Sequence, residues 1–97
     1  MYIQFDMDIG FDQNKSLKNS RELGLPFELA ACFQWETALS MVDDRRLYPE
    51  MRLVAVGYIN NRLHVLCYTP LTSGIRIISL RKANHREIRN YEKAINR

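Results

Sequence analysis

Apolar and polar positions alternate at the start of the chain. Ile3, Phe5, Met7 and Ile9 are separated by Gln4, Asp6 and Asp8, the period of a half-buried strand whose polar face is acidic. Asp12 stands where an N-cap belongs, so a short helix is expected from Gln13 to Leu23, stopped by Gly24. Pro26 then opens a second expected helix through Phe27, Leu29, Ala30 and Phe33. Ala38 to Val42 suits a short strand, and the charged run from Asp43 to Glu50 is kept out of helix by Pro49.

Two clearer strands follow, Arg52 to Ile59 and Arg62 to Thr69, around Asn60-Asn61. Asparagine tolerates the left-handed conformation that a two-residue type I′ hairpin needs, which pairs Tyr58 with Leu63, Val56 with Val65, Val54 with Cys67 and Arg52 with Thr69. That face is apolar apart from its Arg52 end and is the one the helices should cover. The other pairs Ile59 with Arg62, Gly57 with His64, Ala55 with Leu66 and Leu53 with Tyr68, and is expected to be the more open.

The run from Ile75 to Ala83 is the most strand-like in the chain, yet Arg76, Arg81 and Lys82 interrupt it with cations that a core does not hold unpaired. In a regular strand Arg76, Ile78, Leu80 and Lys82 share one face while Ile77, Ser79 and Arg81 share the other, and the pattern leaves open which set meets a cleft. From Asn84 onward Ile88, Tyr91 and Ile95 recur at helical spacing opposite Arg86, Arg89, Lys93 and Arg97, with Asn84 and Glu87 placed as a capping box. The expected architecture is one α+β domain over 1–97: a strand, two helices, a mainly antiparallel sheet and a basic C-terminal helix.

Charge adds a polarity that the pattern alone lacks. Residues 1–44 carry three Lys/Arg against eight Asp/Glu, a balance of −5, whereas 75–97 carry seven against two, a balance of +5. Such a split implies a localised anion-binding surface, most economically for nucleic acid, with an acidic protein as the alternative partner. The composition, 46% hydrophobic and 26% charged over 97 residues, excludes a disordered chain. Neither a signal peptide nor a membrane span is evident, which points to a cytoplasmic protein that does not engage a membrane. Cys32 and Cys67 lack metal-ligand spacing and are expected as reduced, buried packing residues. Asp43 and Asp44 have no neighbouring ligands and are expected as a solvated turn, so neither metal nor cofactor is indicated.

Several segments in order carry a family resemblance: Phe11-Asp12-Gln13-Asn14-Lys15 with Asn19 and Gly24, Phe27-Glu28-Leu29-Ala30, Tyr48-Pro49-Glu50-Met51-Arg52, and Arg76-Ile77-Ile78-Ser79-Leu80-Arg81-Lys82-Ala83 with Glu87 and Tyr91. Together they resemble the BrnT family. The resemblance implies a RelE-like fold and a type II toxin, a small ribonuclease neutralised by a DNA-binding, BrnA-like antitoxin encoded beside it, with which it forms a hetero-oligomer. Two departures stand out: Glu22-Leu23-Gly24 replaces the family's usual Lys-His-Gly, and Leu80 replaces the small residue usual between Ser and Arg. The alternative is a non-catalytic nucleic-acid- or partner-binding module, a weakened toxin homologue.

Metal-independent RNA cleavage by attack of a 2′-hydroxyl on the adjacent phosphorus requires cations for the developing charge, a proton acceptor and a proton donor. Arginine serves the first need because its planar fork grips phosphate bidentately and stays charged, which makes Arg52, Arg76 and Arg81 the candidates. His64, projected to mid-strand, and Glu50 are the candidates for proton transfer; His85 is expected at the surface, and Glu87 is expected to cap its helix. Lys82, Arg86, Arg89 and Lys93 are the candidate RNA-binding cations. Ser79 has no triad-like surroundings and is expected as a hydrogen-bonding strand residue, while Tyr68 could stack on a base or fill the core, and Tyr91 belongs to the core.

Overall fold

The computed structural model describes residues 7–96 and contains a five-stranded sheet flanked by two α-helices and two short 3₁₀ helices. In chain order these are β1 (Asp8–Gly10), α1 (Gln13–Leu23), 3₁₀ turns at Phe27–Cys32 and Trp35–Thr37, β2 (Leu39–Val42), β3 (Leu53–Ile59), β4 (Arg62–Pro70), β5 (Gly74–Lys82) and α2 (His85–Ile95). The sheet order is β1-β5-β4-β3-β2, antiparallel except for the β1–β5 pair. The chain is thus α+β as expected, but the second helix is 3₁₀ rather than α. Its few residues wedge Phe27, Ala30 and Phe33 into the core, and no long amphipathic face exists there to extend a helix. The expected opening strand is described only from Asp8; its earlier part lies outside the described residues.

The local signals for α1 operate as expected. Asp12 Oδ1 accepts from the Lys15 backbone N–H at 3.1 Å, and Gly24 ends the helix at φ +70°, a conformation that costs a residue without Cβ little. Asn60 and Asn61 both have positive φ, and the β3–β4 register runs from Leu53 opposite Tyr68 to Ile59 opposite Arg62. Arg52 precedes the strand, so its expected pairing with Thr69 does not form part of the ladder.

The expectation of which hairpin face is open is overturned. Ala55, Ile59, Leu66 and Tyr68 lie in the main core with Leu25, Phe27, Ala30, Phe33, Ile75, Ile77 and Leu80. Gly57 belongs to this face: a Cβ there would stand 2.6 Å from Phe33 Cζ, so the missing side chain is what lets the Phe33 ring lie on the sheet. Trp35 closes that layer edge-on between Phe33 and Tyr68, at centroid distances of 4.7 and 5.3 Å. Among the described residues, α2 covers the opposite, more apolar face at its hairpin end alone. There α2 lays Tyr91 and Ile88 over Leu63, Val65, Val56 and Tyr58, and Tyr91 Oη donates to the Thr37 carbonyl at 2.8 Å.

The register of β5 contains an irregularity that shapes everything downstream. Residues 79–82 pair with Cys67 to His64 in steps of one, but Ile77 pairs with Tyr68, leaving Ile78 as an extra residue between Cys67 and Tyr68 on the partner strand. Because β1 reaches only as far as Arg76, the edge of β5 beyond it is met by α1 instead. Asn19 Nδ2 donates to the Leu80 carbonyl at 2.9 Å and to the Leu25 carbonyl at 2.7 Å, tying helix, loop and strand together.

Candidate functional site

Beyond the reach of α2, the sheet face carrying Cys67 and Thr69 is overlaid by the connection between β2 and β3. Two turns of chemistry shape that connection. Asp43, with its side chain 1% exposed, receives Arg45 Nε and Nη2 at 2.8 Å each and Tyr48 Oη at 3.2 Å, so it is a buried anchor rather than the expected solvated turn. The Arg45 guanidinium holds the Asp43 carboxyl well below the usual carboxylate range, and Arg45 is raised in return. Arg52 lies over the Tyr48 ring at 4.2 Å, which fixes the direction of its guanidinium. Asp43, Arg45, Arg46, Tyr48 and Arg52 then enclose, with Cys67, Ile78 and Ser79, an open depression of about 470 Å³.

Glu50 connects this loop to the last strand. Its Oε2 accepts from Arg52 Nε at 3.2 Å and its Oε1 from Arg76 Nη2 at 3.1 Å. Arg76, opposite Thr69, and Arg81, opposite Val65, lie on the same sheet face as Ser79, opposite Cys67. In a regular strand Arg76 would point the other way; the extra residue Ile78 turns it, which corrects the expected grouping of Arg76 with Leu80. Arg81 in turn makes a fork to Glu87, Nη1 to Oε1 at 2.8 Å and Nη2 to Oε2 at 2.7 Å. Glu87 also accepts from the Asn84 backbone N–H at 2.9 Å, so the expected cap carries a second duty. Its carboxyl is held down to about 2, first by Arg81 and then by that backbone N–H, against the effect of burial.

Arg52, Arg76, Arg81 and Glu50 are therefore brought to one face. His64 is not: it lies opposite Gly57 and Lys82, buried, with Nδ1 2.7 Å from the Arg62 carbonyl, on the face that carries Leu66. Burial lowers its pKa, with the nearby Arg62 and Lys82 charges adding to the effect. Lys82 is exposed on that same opposite face at the end of β5, and Arg86, Arg89 and Lys93 are exposed along α2. Tyr68 is core, as is Tyr91, and His85 is exposed. Cys67 is buried, and burial pushes its thiol up, whereas Cys32 is exposed, contrary to expectation, because the 3₁₀ turn directs Ala30 and Phe33 inward instead. Thr69 Oγ1, beside Arg76 in the register, is buried without a hydrogen-bond partner among the described residues.

Arg45 and the Asp43 anchor escaped the sequence reading, although the Asp-x-Arg spacing, which lets a side chain fold back on its own turn, was a usable signal. The adjacent apolar pair Ile77-Ile78 inside an otherwise alternating strand was the signal for the bulge.

The family model for the ribonuclease toxin BrnT of type II toxin-antitoxin systems matches residues 11–87. The chain belongs to the BrnT family. The matched stretch begins at Phe11, one residue before the α1 cap, and ends at Glu87, the partner of Arg81, so every arginine gathered on the open face falls within it. Membership implies a ribonuclease acting on RNA and a protein antitoxin as partner. No curated protein and no solved structure matches the chain significantly. Among the described residues no helix is long and apolar enough to cross a membrane.

Proposed function

We propose that this BrnT chain is a metal-independent endoribonuclease that cuts RNA on the face holding Arg52, Arg76 and Arg81. The observation that carries the reading is the convergence of these arginines, two of them through Glu50, on one half-open sheet face of a ribonuclease-toxin family member. A 2′-hydroxyl attacks the adjacent phosphorus, its proton passes to a base, and the bond to the 5′-oxygen breaks as that oxygen gains a proton. Arg76 and Arg81 suit the non-bridging oxygens, since guanidinium forks stabilise charge that grows in the transition state. Each guanidinium now held by Glu50 or Glu87 can exchange a carboxylate for a phosphate of like geometry. Glu50, which accepts from both Arg52 and Arg76, is the proton acceptor in this reading.

The same reading includes a RelE-like topology, a cytoplasmic location and neutralisation by a DNA-binding, BrnA-like antitoxin that covers the arginine face. The antitoxin cannot work by covering Leu66 and Tyr68, because both are already core. A second reading, a binding module without catalysis, is favoured by Leu23, which stands half-exposed where the family usually has histidine.

Purified protein incubated with RNA in excess chelator separates the two. Cleavage, with growth arrest and RNA decay on induction in bacteria, supports the enzyme; RNA retarded in gels but left intact supports the binder. Co-purification with the product of the adjacent gene tests the antitoxin.

A further inference from the structure

The arginine depression is not isolated. A second one, lined by Lys15, Lys18, Asn19, Glu22 and Phe27, shares Ile78 and Ser79 with the first. The two therefore meet across β5 at its bulge, where Ser79 is exposed and Ile78 half-buried. We infer that one single-stranded RNA segment crosses the protein along this line, from Arg45, Tyr48 and Arg52 over Ser79 to Lys15 and Lys18, which bind its backbone phosphates on the far side of the cut. This inference rests on the ribonuclease reading and adds a path to it.

Three features support the path. Lys15 and Lys18, three residues apart, lie on one side of α1, and the bonds from Asn19 to the Leu80 and Leu25 carbonyls hold that helix at a fixed place against β5. The cations thus keep a set distance from Ser79. Among the described residues Lys18 is engaged only by Glu22, at 4.0 Å with both side chains more than half exposed. Such a pair contributes little and yields readily to a phosphate. On the other side the Tyr48 ring, with the Arg52 guanidinium stacked on one face, lines the depression beside Arg46, and aromatic and guanidinium planes of this kind are what unpaired bases stack on. Cations at both ends, a ring at one and a small hydroxyl at the crossing match a flexible polyanion better than a folded protein surface.

The test uses the full chain and a fluorescent, uncleavable 2′-O-methyl oligonucleotide, with affinity followed by anisotropy over a range of salt. Replacing both lysines (Lys15→Gln with Lys18→Gln) is expected to weaken binding on the order of tenfold and to reduce the salt slope by about one unit or slightly more, since each single-strand phosphate contact contributes about 0.7. Glu22→Gln is expected to act oppositely, tightening binding a few-fold. All three positions are on the surface of α1, so circular dichroism should show unchanged folding. If the native chain binds and the double lysine variant keeps its affinity and slope, the path is wrong while the ribonuclease reading stands. Failure of the native chain both to bind and to cut RNA removes the ribonuclease reading, and the path with it.

Discussion

Arg76 and Arg81 stand five residues apart on one strand and yet on the same face of the sheet, because Ile78 is an extra residue in the ladder between them. In a strand without a bulge, a separation of five would send them to opposite faces. The bulge also lets Ile75, Ile77 and Leu80 all reach the core, where each is nearly inaccessible. A single insertion therefore reconciles a continuous apolar edge toward the core with two cations on the opposite face.

Loss of either guanidinium should consequently reach the same chemistry. Arg76→Ala and Arg81→Ala are each expected to lower RNA cleavage on the order of 10²-fold, the scale for removing one transition-state donor. Arg81 is the cleaner test, since Glu87 retains its backbone cap when the fork is gone. Timed cleavage of a defined RNA by folded single variants decides the matter, and native rates in both would mean that the reaction lies elsewhere.

The exposed cations of α2 make a separate prediction. Arg86→Glu with Arg89→Glu should weaken RNA binding and flatten its salt dependence by up to about 1.4 units if both contact phosphates of a single strand. An unchanged slope in anisotropy titrations would make this stripe an ordinary solvated helix face.

Much of this arrangement was legible beforehand where local rules dominate. The Asp12 cap, the Gly24 stop, the Asn60-Asn61 turn and the Asn84–Glu87 box depend on neighbours a few residues apart, and each formed as its chemistry requires. The covered face of the hairpin was not legible from its own apolarity. Leu63, Val65, Val56 and Tyr58 make the more uniformly apolar face, but they serve α2, whereas Gly57 and Ala55 leave room for Phe33 and the 3₁₀ turn on the other. Covering depends on shape as well as hydrophobicity. The arginine site was half legible for a related reason: residue types and family motif singled out Arg52, Arg76, Arg81 and Glu50, while the bulge that unites them is a property of pairing with β4.

Ser16 supplies a prediction about stability. It is buried, its Oγ accepts from the Phe27 backbone N–H at 2.8 Å and donates to Glu28 Oε1 at 3.0 Å, and so it joins α1 to the 3₁₀ turn. Ser16→Ala leaves that buried N–H without a partner, a loss of about 1–3 kcal/mol. Urea unfolding should show a lower midpoint with an unchanged slope; a difference below about 0.5 kcal/mol would show that the hydroxyl is dispensable.

The Arg81–Glu87 pair gives the last prediction, and glutamine isolates it. Glu87→Gln keeps a side-chain oxygen for the Asn84 N–H, since glutamine also completes a capping box, but removes the charge that Arg81 grips. The Glu87 pKa falls on folding from 4.5 to about 2, so the folded state binds the proton less readily than the unfolded chain. The stabilisation is therefore complete above about pH 4.5 and is lost as pH falls from there through about 2. Arg81 is 48% exposed, so solvent screening keeps the pair near the surface range, about 1 kcal/mol or less. Other groups with depressed values, Asp43 and His64 among them, weaken both proteins alike in acid. Urea midpoints measured from pH 7 to pH 2 should show the native chain above Glu87→Gln at neutrality and the two curves converging below pH 4.5. Curves that stay parallel to pH 2 would mean that the fork contributes nothing to folding and that its place is in the site alone.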